Sequence, residues 1–237
     1  LAGTAVPEIG EVTDYIRVLD RSGYFETVTL SEDDLKRNDM YRANAQRAKA
    51  QSRFADYHDY LLSLEMTAEI GDFSPLYLQR ITQLTNKSNQ FNLTTKRYTA
   101  EQMEAVYNSD EYIRLYGKLY DKFGDNGVVA VTIGKTGSED KGRLDIELWL
   151  MSCRVLKRDM ELAMLDSLVA QAKKRGIREI YGHYYPTAKN KMVAGLYESF
   201  GFEKISQDEE GNTAWRLLVE GYEDKNTVIK VKEEHYA

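Results

Sequence analysis

A mixed α/β fold, with a central sheet flanked by helices and a helical arm ahead of it, follows from three features of this 237-residue chain. From Phe73 onward, segments of helical period alternate with short runs of period two. Two of those runs meet across the turn Phe123-Gly-Asp-Asn-Gly127 as a hairpin. The hydrophobic share, 42%, is enough to fill one sizeable core.

Residues 1 to about 70 read as the arm. Ser31 is placed to cap the acidic turn Glu32-Asp33-Asp34, and Tyr41, Ala45, Ala48, Phe54, Tyr60 and Leu64 keep a helical period. The segment is charged and poor in large aliphatics, so it needs a neighbour to lean on. We take residues 71–237 as the main domain. Pro75 opens a helix to Leu84, since proline at an early helical position loses no hydrogen bond, and Thr99-Ala-Glu-Gln102 is a capping box for a second.

Tyr112 to Tyr120 and Val128 to Ile133 form the hairpin strands. Leu144, Ile146, Leu148 and Leu150 alternate with polar or larger residues, which predicts a third strand with one face to the core. A helix from about Asp159 to Lys174 follows, then a strand from Ile177 to Tyr184. Pro186-Thr187 ends that strand, and Thr187 can cap a helix reaching Phe200, where Gly201 stops it. Strands from Phe202 and Trp215 close the sheet, and no internal repeat is present.

Composition excludes several functions. A net charge of -6 leaves no basic stripe for nucleic acid, and Lys173-Lys174-Arg175 falls where a helix ends and its dipole welcomes cations. One cysteine forbids an internal disulfide, and three histidines without ligand spacing argue against a metal site. A reducing cytoplasm is the expected setting. No apolar run approaches the roughly 20 residues of a membrane span, and no secretory signal is read. The opening at Leu1 suggests a piece of something longer.

The run TNKSNQFNLTTKRYT, Thr85 to Thr99, holds four amides and three cations but neither Gly nor Pro. It reads as a surface that holds a polar group, with Lys87, Asn89, Gln90, Asn92, Thr94 and Arg97 as its contacts; the other reading is a loop pinned by its own Asx turns.

The order of elements, with Asn190, Tyr197 and Gly201-Phe202 spaced along the last helix, resembles the GNAT superfamily of acyl-CoA N-acetyltransferases. More closely, NKSNQFNLTTKRYT, FGDNGVVAVTI, LWLMSCRVLKRDME and YYPTAKN resemble the C-terminal half of FkbH-like proteins, which join a phosphatase-like domain of the haloacid dehalogenase superfamily to a GNAT-like domain. DYIRVLDRSGYFETVTLSEDD and RNDMYRANAQR resemble the end of that phosphatase half.

The resemblance implies transfer of a glyceryl-type acyl group to an acyl carrier protein thiol, with the phosphatase-like domain as partner. It implies a CoA or phosphopantetheine thioester as the acyl carrier, and it places Asn190, with Arg154, Thr187 and Lys189, on the substrate side. The phosphatase's Asp-x-Asp motif is absent, so no phosphatase activity is expected of these residues. The pyrophosphate loop of acetyltransferases, Gln/Arg-x-x-Gly-x-Gly/Ala, is degenerate here: Arg154-Val-Leu-Lys157-Arg158-Asp159 has lost both glycines, leaving Lys157 and Arg158 as partial compensation.

Three residues are candidates for catalysis. Cys153, just past the third strand, is either an acyl acceptor or a space-filling thiol. His183 is its base or a structural imidazole, with Glu147 as the second candidate base; Tyr197 is the acid that the superfamily uses or a core residue beside Val193 and Phe200. An acetyl-CoA-dependent N-acetyltransferase and a non-catalytic docking module for a carrier protein stand as alternatives.

Overall fold

The computed structural model describes residues 10–21, 37–138 and 140–233. The expected Ser31 cap lies outside the described residues. The chain divides into two units, 1–44 and 45–237. In the first, a 3-10 turn (Val12–Asp14) runs into helix α1 (Tyr15–Arg21), where Arg17 pairs with Asp14 at 2.7 Å. Helix α2 (Arg37–Gln51) carries the boundary.

The second unit is built on a mixed sheet. In chain order its elements are α3 (Tyr57–Ser63), β1 (Thr67–Gly71), α4 (Pro75–Lys87), β2 (Phe91–Asn92), α5 (Ala100–Tyr107), β3 (Tyr112–Asp121), β4 (Gly124–Thr136), β5 (Arg143–Met151), α6 (Met160–Lys174), β6 (Glu179–Tyr184), α7 (Leu196–Ser199), β7 (Glu203–Gln207), β8 (Thr213–Leu218) and β9 (Lys230–Glu233). Among the described residues the strands form one sheet in the order β7-β8-β6-β5-β4-β3-β1-β9, with β2 paired to β5 alone.

The local signals hold where they are strongest. Pro75 opens α4, and Thr99 and Gln102 make the reciprocal capping box of α5, at 3.2 and 2.9 Å. Lys173 and Lys174 occupy the last turn of α6, and Lys173 Nζ donates to the Tyr222 carbonyl at 3.3 Å. No described helix is long and apolar enough to cross a membrane.

Three expectations need correction. Thr67–Gly71 is not helical; it pairs with β3 and, in parallel, with β9, because Ala68 and Ile70 supply a buried face every second residue. The helix expected from Thr187 to Phe200 is reduced to a 3-10 turn (Lys191–Val193) and the single turn of α7, with Gly195 between them as a poor helix former.

The third correction concerns β5. Leu144 and Ile146 do not share a face with Leu148 and Leu150. Strand β4 pairs Ile133 with Leu148 but Gly134 with Ile146, so Glu147 is the extra residue of a β-bulge. Beyond it the alternation inverts. Leu144, Ile146, Trp149 and Met151 join the core under α3, α6 and α7, while Leu148 and Leu150 join the opposite core under α4 and α5. Helices thus cover both faces of the sheet, and the bulge marks where the site begins.

Candidate functional site

Strands β5 and β6 run parallel and pair only from Arg143–Asp145 to Glu179–Tyr181. The Glu147 bulge bends β5, and the two strands part. On one side of the opening lies a cavity of about 420 Å3 lined by Thr94, Lys96, Asp145, Ile146, Glu147, His183 and Tyr185.

The cavity's walls are charged and mutually paired. His183 Nε2 lies 3.3 Å from Asp145 Oδ1, and Arg143 holds the same carboxylate through two bonds at 2.5 and 2.7 Å. Burial opposes ionisation of Asp145, but the hydrogen bonds from His183 and Arg143 and the arginine's charge win and bring its carboxyl down to about 2. Lys96 Nζ reaches Glu147 Oε2 at 2.5 Å and sits over the Tyr98 ring, whose hydroxyl donates to the same oxygen at 3.2 Å. Burial, then the Glu147 carboxylate, pushes the Tyr98 phenol up. The ring of Tyr185 stacks on His183 at 6.3 Å.

Of the residues the sequence singles out, His183, Glu147 and Thr94 line this cavity. Thr94 is already engaged, its hydroxyl donating to the Glu147 carbonyl at 2.7 Å. Asn89 takes a hydrogen bond from Arg97, which also donates to the Thr85 carbonyl at 2.5 Å, so this pair braces the loop. Lys87, at the end of α4, and Gln90 are both exposed. Asn92 is fully buried and fixes its own turn, accepting from Thr95 N at 2.9 Å.

Asn190 is also fully buried. Its Nδ2 donates to the carbonyls of Asn92 (3.0 Å) and Tyr185 (2.9 Å), and its Oδ1 accepts from Thr187 N (2.7 Å) and Thr187 Oγ1 (3.0 Å). Thr187 Oγ1 in turn accepts from Lys189 N at 3.3 Å. Both halves of the Asn190 amide are spent on the protein. Asn190 and Thr187 are a clasp between the 85–98 loop and the turn after β6.

Cys153 is exposed, in a 3-10 turn (Cys153–Val155) that Ser152 caps by accepting from Arg154 N at 3.4 Å. Cys153 and His183 are not brought together. His183 Nε2 meets Asp145 near the start of β5, whereas Cys153 lies beyond the strand's end at Met151, six strand residues on and so roughly 20 Å along β5 at strand rise.

Tyr197 is fully buried against Trp149, Phe202 and Trp215, and burial pushes its phenol up. Its ring lies on Gly182, where a Cβ would collide with it. Core packing, rather than exposure in the cavity, is what the structure gives this tyrosine.

Sequence reading missed Lys96 and Asp145. Asp145 looks like an ordinary solvated strand position, and only the β5–β6 register, which sets Asp145 opposite Tyr181, reveals its neighbour His183.

No protein-family model matches the chain, and no curated protein matches it. Solved structures do match. A domain from Methanocaldococcus jannaschii aligns with a TM-score of 0.50 at 12% identity, covering 65% of this chain and 99% of its own. The ribosomal-protein-S18-alanine N-acetyltransferase of Escherichia coli gives 0.49 at 13% identity, covering 68% and 99%. An acetyltransferase from Thermus thermophilus gives 0.49 at 13%, covering 64% and 97%. By its strand order and its parting parallel strands, this chain has a mixed α/β fold with a central sheet flanked by helices, like that of the structures it aligns with. The likeness is one of fold.

The sequence's resemblance to the GNAT superfamily implies CoA, and the residues at the expected pyrophosphate loop do not fit it. Lys157 and Asp159 stand at the two glycine positions with φ of 63° and 58°, so the backbone keeps a left-handed shape but carries side chains. The Lys157 carbonyl is covered by the Tyr57 hydroxyl at 2.6 Å. Arg158, expected to compensate, is buried and turned inward to Asp121 (3.1 Å) and Asn126 (3.3 Å). The half-buried Asp159 presents a carboxyl where a pyrophosphate would lie, and burial raises its pKa.

Proposed function

We propose that this chain is the acyltransferase module of an FkbH-like system, loading a small hydroxylated acyl group of glyceryl type on an acyl carrier protein thiol in the cytoplasm. A phosphatase-like partner domain supplies the phosphoryl chemistry. The observation that carries the reading is the His183–Asp145 pair inside a cavity with carboxylate, ammonium and aromatic walls. Asp145 orients the imidazole as a base. The cavity's size suits a group of a few carbon atoms, and its carboxylates can accept hydrogen bonds from that group's hydroxyls.

In the proposed step His183 takes the proton of the carrier thiol as sulfur attacks the acyl carbonyl. A C–S bond forms, the bond to the donor's leaving group breaks, and that group departs as an anion or with the proton returned by His183. Lys96 offsets charge that develops on the carbonyl oxygen. Cys153 lies outside this arrangement and is not needed for it.

The test is single-turnover loading of a purified carrier protein from an activated glyceryl donor, read by intact mass. His183→Gln should slow loading by roughly 100-fold or more, the usual contribution of a general base, while Cys153→Ser should load at the wild-type rate. Equal loss in Cys153→Ser would move the acyl acceptor to that thiol. Acetylation of amines from acetyl-CoA, with no carrier loading, would replace this reading by an N-acetyltransferase.

A further inference from the structure

We infer that the gap between β5 and β6, where the fold family admits an acyl thioester's pantetheine arm, is closed by the chain's own residues 91–94, so that neither CoA nor a carrier arm threads it. An extended, amide-bearing arm needs unpaired backbone groups along the edge of a strand. Here those groups are taken. Past the last β5–β6 pair, the Glu147 carbonyl accepts from Thr94 Oγ1 at 2.7 Å and the Trp149 carbonyl from Leu93 N at 3.1 Å, while Leu150 and Met151 pair with Asn92 and Phe91 of β2.

The far side of the gap is joined as well, since Tyr185 N donates to the Leu93 carbonyl at 2.9 Å. Residues 91–94 are therefore bonded to β5 on one edge and to the exit of β6 on the other. Their side chains are buried to match: Asn92 and Leu93 at 0% exposure, Phe91 at 5% and Thr94 at 8%. Asn190 locks the insert by donating to the Asn92 carbonyl at 3.0 Å. With the side chains at Lys157 and Asp159, both ends of a CoA molecule's path are filled by protein. The consequence for chemistry is directional: a thiol reaches His183 from the solvent side of the cavity and not through the sheet.

The closure stands on these contacts and not on the proposed glyceryl transfer, so the two fail separately. Calorimetric titration of the wild-type chain with acetyl-CoA, run beside amide hydrogen exchange of Leu93 and Tyr185, tests it. The expected result is no saturable binding up to roughly 1 mM, with both amides equally protected with and without the ligand. Binding that leaves both amides protected also supports closure, because the ligand then sits elsewhere. Micromolar binding with at least a tenfold loss of protection at Leu93 and Tyr185 would overturn it, by showing that the insert leaves the gap for the cofactor.

Discussion

Replacing Asn190 by alanine separates two physical roles for one residue. If Asn190 touches a substrate arm, its loss weakens turnover and leaves stability alone. In the structure it instead donates to the carbonyls of Asn92 and Tyr185 and accepts from the Thr187 N–H. Alanine orphans all three backbone groups, and the Asn92 carbonyl is buried among them. At about 1 kcal/mol for each lost bond, and more where the group stays unsatisfied, the cost is about 3–4 kcal/mol. For a unit of this size that lowers Tm by roughly 10 °C. Asn190→Asp keeps the acceptor but aims a carboxylate at two carbonyls, so it should be no better. Urea denaturation of the wild type and both variants, with amide exchange at Leu93, makes the measurement. A loss under about 1 kcal/mol together with slower transfer would refute the clasp and return Asn190 to the substrate.

Glu161 is half-buried in the first turn of α6, its Oε2 is enclosed with no hydrogen-bond partner among the described residues, and desolvation raises its pKa from the ordinary 4.5 to about 7. The folded state then binds the extra proton, so this group's contribution to stability is fully present below pH 4.5 and is lost as pH rises toward 7, about 3 kcal/mol in all; Glu161→Gln should remove that component of the slope in denaturation curves taken across the range, and an unchanged slope would count against it. Gly182→Ala drives a methyl into the Tyr197 ring, whose neighbours Trp149, Phe202 and Trp215 leave it nowhere to move, so it should cost about 1–3 kcal/mol in thermal unfolding. Exposed Cys153 should be alkylated by iodoacetamide in the folded protein at nearly the rate seen in urea, and strong protection in the folded state would show that its turn is covered.

Much of the fold was legible because its signals are local. The capping box at Thr99, the proline at the start of α4, the cationic end of α6 and the hairpin strands each depend on neighbours within a few residues, where steric and hydrogen-bonding preferences act directly. The polar run from Thr85 to Thr99 is as unusual as its composition suggests, and in the structure the side-chain oxygens of Asn89 and Asn92 are engaged by the loop's own Arg97 and Thr95. Composition cannot tell a hydrogen bond to substrate from one to a backbone carbonyl.

By itself, the sequence determined a mixed α/β domain with helices around a central sheet and the position of most strands, while the pairing of His183 with Asp145 waited on the register of β5 and β6. Tertiary structure alone decided the rest. The Glu147 bulge depends on how β4 registers against β5, and it inverts which side chains of β5 meet which core. The filling of the β5–β6 gap depends on residues 91–94 meeting strands more than fifty positions away, and the clasp at Asn190 on a partner 98 positions away. Such contacts leave no periodic mark in the chain, because pairing over long separations is chosen by the whole packed sheet and not by the residues on either side.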